Sequence, residues 1–381
     1  MLESPWIDIS GKDLPMTIIA LVFALMWLIQ IIWYWGIFSR IAFYRSPEYR
    51  ESTVPVSVII AAKNEYHNLC RNLELILTQD YPDYEVVVVN DASDDETEDY
   101  LKGLVLQYKH LNVLTIRSDL NYFRGKKFPL AIGIKAAKYE TLLLTDADCR
   151  PSSPEWIYEM QRRFTDKTDF VLGYGGYETK RGLLNALVRW DTVHIAMQYL
   201  SLALCRRPYM GVGRNLAYKK SLFLEKGGFS SHYHVSGGDD DIFVNRFAQG
   251  SKTGICIDPK ARTVSFAPPD FSFWVRQKRR HLSTGKFYKG ADLLILSNWS
   301  VSRFLFLTLG IFLLLVPYNI IPVLALIVLR YMSQLIIFKK SMQQFSEKKL
   351  LLFSPIFELY FILYNSILAF SNLIKKGHQW K

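Results

Sequence analysis

The chain is 381 residues long and 50% hydrophobic, with a formal net charge of +11, which leaves room for one large domain plus smaller parts. Its four cysteines (Cys70, Cys149, Cys205, Cys256) show no paired spacing, which argues against a disulfide framework or a zinc site and suits a reducing compartment. The positive excess fits contact with anionic lipid and the handling of anionic substrates, and no recognition motif accompanies it that would point to nucleic acid.

Mean hydropathy is only +0.07, so the apolar residues must be concentrated. Residues 14–38 carry no charge; as a helix they measure about 37 Å, enough to cross a bilayer with some tilt. The run is too long for a signal-peptide core and no small-residue cleavage site follows it, so it reads as a retained anchor. Arg40, Arg45 and Arg50 follow this span, whereas Glu3, Asp8 and Asp13 against Lys12 precede it. The positive-inside rule therefore places the region from about residue 40 to 300 in the cytoplasm.

From residue 55 onward strands and helices alternate. Residues 56–60 form an apolar run that reads as a buried strand, and 64–78 carry helical spacing through Leu69, Leu73, Ile76 and Leu77. Residues 85–89 read as the next strand, ending at Asn90-Asp91; a helix over 94–108, a strand over 113–116 and a helix over 127–137 follow. The apolar run 142–145 completes the series, which predicts a mostly parallel sheet with right-handed crossovers. Beyond Asp148 the pattern predicts a helix over 156–164, a strand over 170–177 and a long apolar helix over 183–204. Arg189, Asp191 and His194 inside that helix favour packing, or grazing the membrane, over crossing it. Residues 273–288 are basic and aromatic, which suits a helix lying at the cytoplasmic membrane surface.

A second apolar block, 304–338, is interrupted by Pro317, Asn319, Pro322 and Arg330. It is too long for one straight span and short for two, which predicts a tight hairpin or a kinked pair. A third block, 350–374, contains Pro355 and Glu358 and either spans the bilayer or lies partly in its interface. Lys339, Lys340, Lys348 and Lys349 separate the two and belong on the cytoplasmic side.

Ligands of open α/β sheets bind at the carboxyl ends of the strands. Three runs end there in polar residues: Ala61-Ala62-Lys63-Asn64-Glu65, Asn90-Asp91, and Thr145-Asp146-Ala147-Asp148. Asp146 and Asp148 either hold a hard divalent cation that in turn holds a diphosphate, or simply form a strand exit with an Asx turn. The companion acids and the downstream motifs favour the metal reading. Acidic groups cannot grip phosphate directly, but they can hydrogen-bond the base and ribose of a nucleotide. Neither G-x-G-x-x-G nor G-K-[ST] follows the first strand, which counts against a dehydrogenase and an ATPase. Arg124-Gly125-Lys126-Lys127 either supplies charge to a diphosphate or is a basic loop at a helix start. Ser236-Gly237-Gly238-Asp239-Asp240-Asp241 crowds three carboxylates; such acids raise one another's pKa, as a general base for a sugar hydroxyl would use, the plain alternative being a charged helix N-terminus. Gln277-Lys278-Arg279-Arg280-His281 can clamp a leaving diphosphate, contact anionic lipid, or do both.

In this order these residues resemble the family 2 glycosyltransferases, membrane-associated inverting enzymes, over roughly residues 55–288. The resemblance implies an α/β fold of the GT-A type (a Rossmann-like nucleotide-diphospho-sugar transferase domain) over residues 52–270. It would be flanked by a transmembrane helix at 14–38, a membrane-interface segment at 271–300 and a C-terminal transmembrane region of two or three helices at 303–374. It also implies a nucleotide-diphosphate sugar donor, Mg²⁺ or Mn²⁺ as cofactor, and a lipid-linked or membrane-proximal saccharide acceptor. By resemblance, Ala62, Glu65 and Asp91 contact the nucleoside and Lys127 or Lys126 helps bind the nucleotide. Asp146 and Asp148 match the D-x-D motif, with Asp148 the direct metal ligand. Gly238-Asp239-Asp240 matches G-[ED]-D, whose second acid is the catalytic base: Asp240, with Asp239 the competing assignment. Gly211-Val212-Gly213-Arg214-Asn215 looks like the acceptor-side loop. Gln277 and Arg280 match Q-x-x-R-W, but His281 stands where tryptophan is expected.

That departure and the small C-terminal membrane part weigh against a processive polysaccharide synthase and for transfer of one or a few sugars. A membrane scaffold that has lost catalysis is the rival from another class; no required polar position is visibly replaced by an apolar residue. A bacterial cell membrane with the catalytic domain inside is the expected setting.

Overall fold

The computed structural model describes residues 14–47, 53–117, 125–235, 237–316 and 318–374. Glu3, Asp8, Lys12, Asp13, Arg50, Arg124, Ser236 and Pro317 lie outside the described residues. Helix α1 (Leu14–Ile31) runs through a π-helical turn (Ile32–Phe38) into α2 (Ser39–Ala42).

The α/β alternation then begins. β1 (Val56–Ala62) and β2 (Tyr84–Asp91) are buried along almost their whole length, as strands covered on both faces require. Between them α3 (Tyr66–Leu77) buries Leu69, Leu73, Ile76 and Leu77, one face of an amphipathic helix. α4 (Thr97–Val105), β3 (Leu111–Ile116), α5 (Lys127–Ala136) and β4 (Thr141–Leu144) complete the parallel half. A Cβ at Gly133 of α5 would lie 2.9 Å from Val89 and 3.0 Å from Ile59, so the missing side chain is what lets this helix seat on β1 and β2.

After β4 come β5 (Cys149–Pro151), α6 (Trp156–Gln161), β6 (Phe170–Gly173), β7 (Gly175–Tyr177) and α7 (Leu183–Leu204). β8 (Leu216–Lys219), α8 (Lys220–Glu225), α9 (Asp241–Phe247), β9 (Thr253–Cys256) and β10 (Thr263–Ser265) follow. The main sheet has the order β3-β2-β1-β4-β8-β6-β9, and β5-β10-β7 form a second sheet. β3, β2, β1 and β4 are parallel, while β8 runs antiparallel to both β4 and β6. The carboxyl ends of β1, β2 and β4 therefore share one edge with the amino end of β8.

The single strand expected over 170–177 is corrected: β6 and β7 belong to different sheets. The side-chain amide of Asn215 takes the Tyr174 carbonyl at 3.0 Å and so turns the chain out of the main sheet between them.

The remaining helices are α10 (Phe271–Thr284), α11 (Gly290–Leu315), α12 (Ile320–Gln344) and α13 (Ser354–Ile374). Among the described residues three helices, Leu14–Ala42, Gly290–Leu315 and Ile320–Gln344, are long and apolar enough to cross a membrane. Large apolar side chains such as Leu21, Leu25, Ile321 and Val328 are exposed on their outer faces. α11 and α12 are separated by residues 316–319, and α11 starts at Gly290, inside the stretch 271–300 read from the sequence as a membrane-interface segment. Asp292, buried in its first turn, accepts from Arg207 Nε at 3.1 Å and Asn245 Nδ2 at 2.9 Å, which anchors the start of this helix on the α/β domain.

Inside the bundle, Arg330 donates to Glu358 and Gln334, each at 2.6 Å, and to Gln30 at 2.8 Å; Arg303 reaches the same Glu358 at 3.1 Å. The Glu358 carboxylate thus joins α11, α12 and α13, and Arg330 extends the network to α1 through Gln30, the pairing that ionisable groups in such a setting need. The long apolar helix α7 packs, as expected. Its Arg189 pairs with Glu347 between α12 and α13 (Nε at 2.9 Å), its Asp191 accepts Lys278 Nζ of α10 at 2.6 Å, and its Trp190 stacks on Phe361. Gln344 Nε2 meets the Tyr44 carbonyl at 3.0 Å, and Arg262 Nη1 donates to the Phe345 carbonyl at 2.6 Å, so the end of α12 lies against both the segment after α2 and the α/β domain.

Candidate active site

The loops after β1 and β2 are stitched into one rim. Asn64 N donates to Ser93 Oγ at 2.9 Å, Asp94 N to Asn64 Oδ1 at 2.9 Å, and Tyr66 N to Asp95 Oδ2 at 3.1 Å. Asn64 (φ 55°) and Ala92 (φ 50°) take the left-handed conformation at the two bends, a cost typical of functional rims. Ala62 is buried at the end of β1 and Asp91 is buried at the end of β2. Burial pushes the Asp91 carboxyl above its ordinary range against the pull of Lys63. Glu65 is raised too, by burial and by Asp148, while its Oε2 accepts from Asn68 at 2.6 Å.

The turn after β4 is held from three sides. Thr145 Oγ1 donates to the Arg214 carbonyl at 3.0 Å, Cys149 N to the Asp146 carbonyl at 3.0 Å, and Asn72 Nδ2 to the Ala147 carbonyl at 3.0 Å. Oxygens of Asp146 and Asp148 and the sulfur of Cys149 lie within 4.8 Å of one another. The Cys149 thiol is buried, contacts Ser265 Oγ at 3.0 Å, and is pushed well above its ordinary pKa by burial and by Asp148. With that thiol turned to Ser265, Asp146 and Asp148 are the two hard carboxylates at the turn, a pair of donors that fits Mg²⁺ or Mn²⁺. Lys126 forms an ion pair with Asp146 at this turn.

The two candidate lysines part company. Lys127 is buried and donates to the carbonyls of His232 (2.7 Å) and Val235 (2.6 Å). Desolvation brings its pKa down to about 8 against the pull of Asp239 and Asp241. The expectation that Lys127 meets the nucleotide is therefore corrected: it staples the loop that leads to the acidic run, and Lys126 is the lysine left at the rim. His232 closes the same loop with Nε2 2.8 Å from the Gly238 carbonyl. Gly238 has φ +83°, and a Cβ on it would lie 2.4 Å from Ile242, so only glycine turns the chain here.

Asp240 is the N-cap of α9: Oδ1 accepts Asp241 N at 2.7 Å, while Oδ2 accepts Gly213 N at 2.7 Å. Asp239 is raised by burial and by Asp240, and Lys126 pulls it the other way. Asp241 is buried, with a pKa pushed up to about 7 by burial and by Asp240. Its Oδ2 accepts from the Thr284 hydroxyl and, at 2.8 Å, from the Tyr288 hydroxyl.

Gly213 and Arg214 lie beside these acids, with the Arg214 guanidinium 4.5 Å from the Tyr177 ring centroid and Nη1 3.3 Å from the Gly176 carbonyl. Asn215 does not reach the cleft. It is fully buried, its amide donates to Tyr174 and Ala261 carbonyls, and its Oδ1 accepts from Trp156 Nε1 at 3.1 Å. Its proposed acceptor-side role is corrected to that of a brace, because every polar atom it has is already used. On α10, Gln277 Oε1 accepts from the Tyr177 hydroxyl at 3.5 Å and Arg280 is exposed. His281, exposed on the same helix, stands where the motif has tryptophan.

The sequence reading did not single out Asn72, Lys127 as a staple, or Asp241 as a tie. Asn72 had a signal: an amide beside Leu69, Leu73 and Ile76 on an otherwise apolar helix face.

Residues 57–223 match the model of Glycosyl transferase family 2. A poly-beta-1,6-N-acetyl-D-glucosamine synthase of Staphylococcus epidermidis is 29% identical over 129 residues, 33% of this chain and 30% of that protein. The probable glycosyltransferase YdaM of Bacillus subtilis (strain 168) is 25% identical over 245 residues, 61% of this chain and 56% of that one. The chain thus matches less than two thirds of the length of either relative. Among solved structures, the mannosyltransferase PcManGT from Pyrobaculum calidifontis, in complex with GDP-Man and Mn2+, superposes with a TM-score of 0.57 at 18% identity. The match covers 91% of this chain and 98% of that one. The likeness shows the fold, which is GT-A-like.

Proposed function

We propose that this chain, whose residues 57–223 form a family 2 glycosyltransferase domain, moves a sugar from a nucleotide-diphosphate donor to a lipid-linked or membrane-proximal saccharide acceptor, with inversion. The observation that carries the reading is the meeting of the Asp146–Asp148 turn and the Gly213-tethered Asp240 at one edge of the sheet. Ala62, Glu65 and Asp91 line the nucleoside side. Asp146 and Asp148 are the residues that would hold Mg²⁺ or Mn²⁺, which when bound supplies positive charge to the departing diphosphate. Lys126, Arg280 and Gln277 serve that same side.

Asp240 is the base. Its two backbone donors fix its direction, and its tie to Gly213 puts it on the acceptor loop, away from the diphosphate. Asp239 is the competing assignment. The acceptor O–H gives its proton to Asp240, the oxygen attacks the anomeric carbon, and the bond to the diphosphate oxygen breaks with its electron pair. One displacement inverts the configuration. Oriented groups of this kind account for several kcal/mol of barrier, about 3–4 of them from a single well-placed stabilising donor.

The helices Leu14–Ala42, Gly290–Leu315 and Ile320–Gln344 support an integral membrane protein. The arginines at 40 and 45 and the lysines between α12 and α13 support a cytoplasmic catalytic domain, in a bacterial cell membrane. Transfer of one or a few sugars is favoured over polymer export because the Arg303–Glu358–Arg330 cluster fills the middle of the helix bundle. A screen of the purified full chain against nucleotide sugars with Mg²⁺ and Mn²⁺, reading release of nucleoside diphosphate, tests the reading. Release from no donor in the panel, with no donor bound, would leave the inactive-scaffold reading standing.

A further inference from the structure

The third aspartate of the acidic run takes no part in the displacement, yet it is the most heavily tied of the three. Its Oδ1 accepts Ile242 N at 2.7 Å and its Oδ2 accepts the hydroxyls of Thr284 and Tyr288. One turn along α9, on the same face, Asn245 repeats the contact. Its Oδ1 accepts Lys289 N at 2.8 Å and its Nδ2 donates to Asp292 Oδ2 at 2.9 Å. Residues 284–292 are the junction between α10, which carries Gln277, Arg280 and His281, and α11, which is apolar and long enough to span a membrane. Lys278 fastens the middle of α10 to Asp191 at 2.6 Å through both carboxylate oxygens, so the junction end is where this helix takes its register from α9.

Asp240 and Asp241 are adjacent in the chain, and Asp240 is itself the cap of α9. A shift of the α10–α11 junction therefore moves the base, and a shift of the base loop moves Arg280. We propose that Asp241 is a positioning residue that sets the register between Asp240 and the α10 side chains serving the leaving group, and so links the seating of α11 to the competence of the site. This inference rests on the glycosyltransferase reading for its catalytic consequence, and on hydrogen bonds alone for the coupling.

The test uses the full chain in detergent or nanodiscs, as wild type, D241N, T284V/Y288F and the triple variant D241N/T284V/Y288F. Steady-state transfer is measured together with hydrogen exchange of peptides covering 237–247 and 277–292. D241N and T284V/Y288F should each lower kcat at least about tenfold with donor KM within about twofold, as loss of orientation without loss of binding requires. The triple variant should be no worse than D241N by more than about twofold, because all three changes remove one interaction. Exchange should rise in both peptides in every variant and stay unchanged over β1, β2 and β4. T284V/Y288F keeps the test valid if D241N fails to fold. Unchanged kcat in T284V/Y288F, fully multiplicative effects, or a rise in exchange confined to 237–247 would each overturn the inference. A wild-type chain that turns over no donor defeats the functional reading instead, and the exchange data still decide the coupling.

Discussion

Asp240 Oδ2 and the backbone N–H of Gly213 lie 2.7 Å apart, a hydrogen bond that fastens the acidic run to the loop before β8. Neither partner could find the other locally, since they are separated by the whole β8–α8 segment. The bond depends on the antiparallel insertion of β8 beside β4, which brings its amino end to the edge where the parallel strands finish. A carboxylate held at both oxygens by backbone donors has little rotational freedom left, and a base for one particular hydroxyl needs that restraint.

The two neighbouring lysines should separate cleanly. K126A removes the partner of Asp146 at the rim and is expected to weaken nucleotide-sugar binding by about tenfold, as loss of one charge-assisted contact does. K127M removes the staple on His232 and Val235 and is expected to cut transfer while leaving donor affinity within about threefold, again on the scale of a lost hydrogen-bonded charge. Donor titrations of both variants by calorimetry would show the difference, and a larger affinity loss in K127M than in K126A would contradict it.

Metal dependence should follow the carboxylates and not the sulfur. D148A is expected to abolish Mn²⁺-dependent donor binding. C149S should retain it, because that thiol is buried and engaged with Ser265. Manganese titration monitored by electron paramagnetic resonance is the check; a C149S variant as defective as D148A would make the sulfur a ligand.

Most of the parallel half was legible in advance. Apolar runs such as Val86–Val89 admit few readings once turns flank them, and the helical spacing of Leu69, Leu73 and Ile76 faces the sheet as expected. The acids at the strand ends were legible for the same reason: the end of a parallel strand has a known side. What the pattern could not carry were partners fixed by tertiary contact. Asn215 resembled a loop residue, yet its amide is spent on Tyr174 and Ala261. Lys127 resembled a nucleotide contact, yet its ammonium closes a loop more than a hundred residues away. The start of α11 was hidden because residues 290–300 mix polar and apolar side chains, and only the buried Asp292 contacts show why the helix begins there.

The buried pair Asp191–Lys278 gives a stability prediction. D191N leaves an ammonium buried against Phe361 without its counter-charge and should cost about 3–5 kcal/mol, whereas D191L/K278M, which removes both charges, should recover most of that loss. Thermal unfolding in one fixed detergent would measure both. A double variant at least as unstable as D191N would contradict the assignment.

Asp241 predicts a pH dependence. Its pKa rises from 3.8 to about 7 in the fold, so between those values the native state holds a proton that the unfolded state has released, and stability falls as pH rises. Below about 4 both states are protonated and the cost vanishes; above about 7 it is fully present. His232, lowered to about 4 by burial, acts in the opposite sense over the acidic range, so the quantity to follow is the difference between wild type and D241N. The melting temperature of wild type minus that of D241N should fall from pH 4 to pH 7 and then level off. A flat or rising difference would contradict the raised pKa.

The most direct test of the central claim is nucleoside diphosphate release by the full chain with a nucleotide sugar it binds, saturating Mg²⁺ or Mn²⁺ and an acceptor, compared between wild type, D239N and D240N. The account predicts turnover in wild type, a residual fraction in D239N, and loss of at least about a hundredfold in D240N with donor binding intact, the scale expected when a positioned general base is removed. Full turnover in D240N, or abolition in D239N alone, would contradict it.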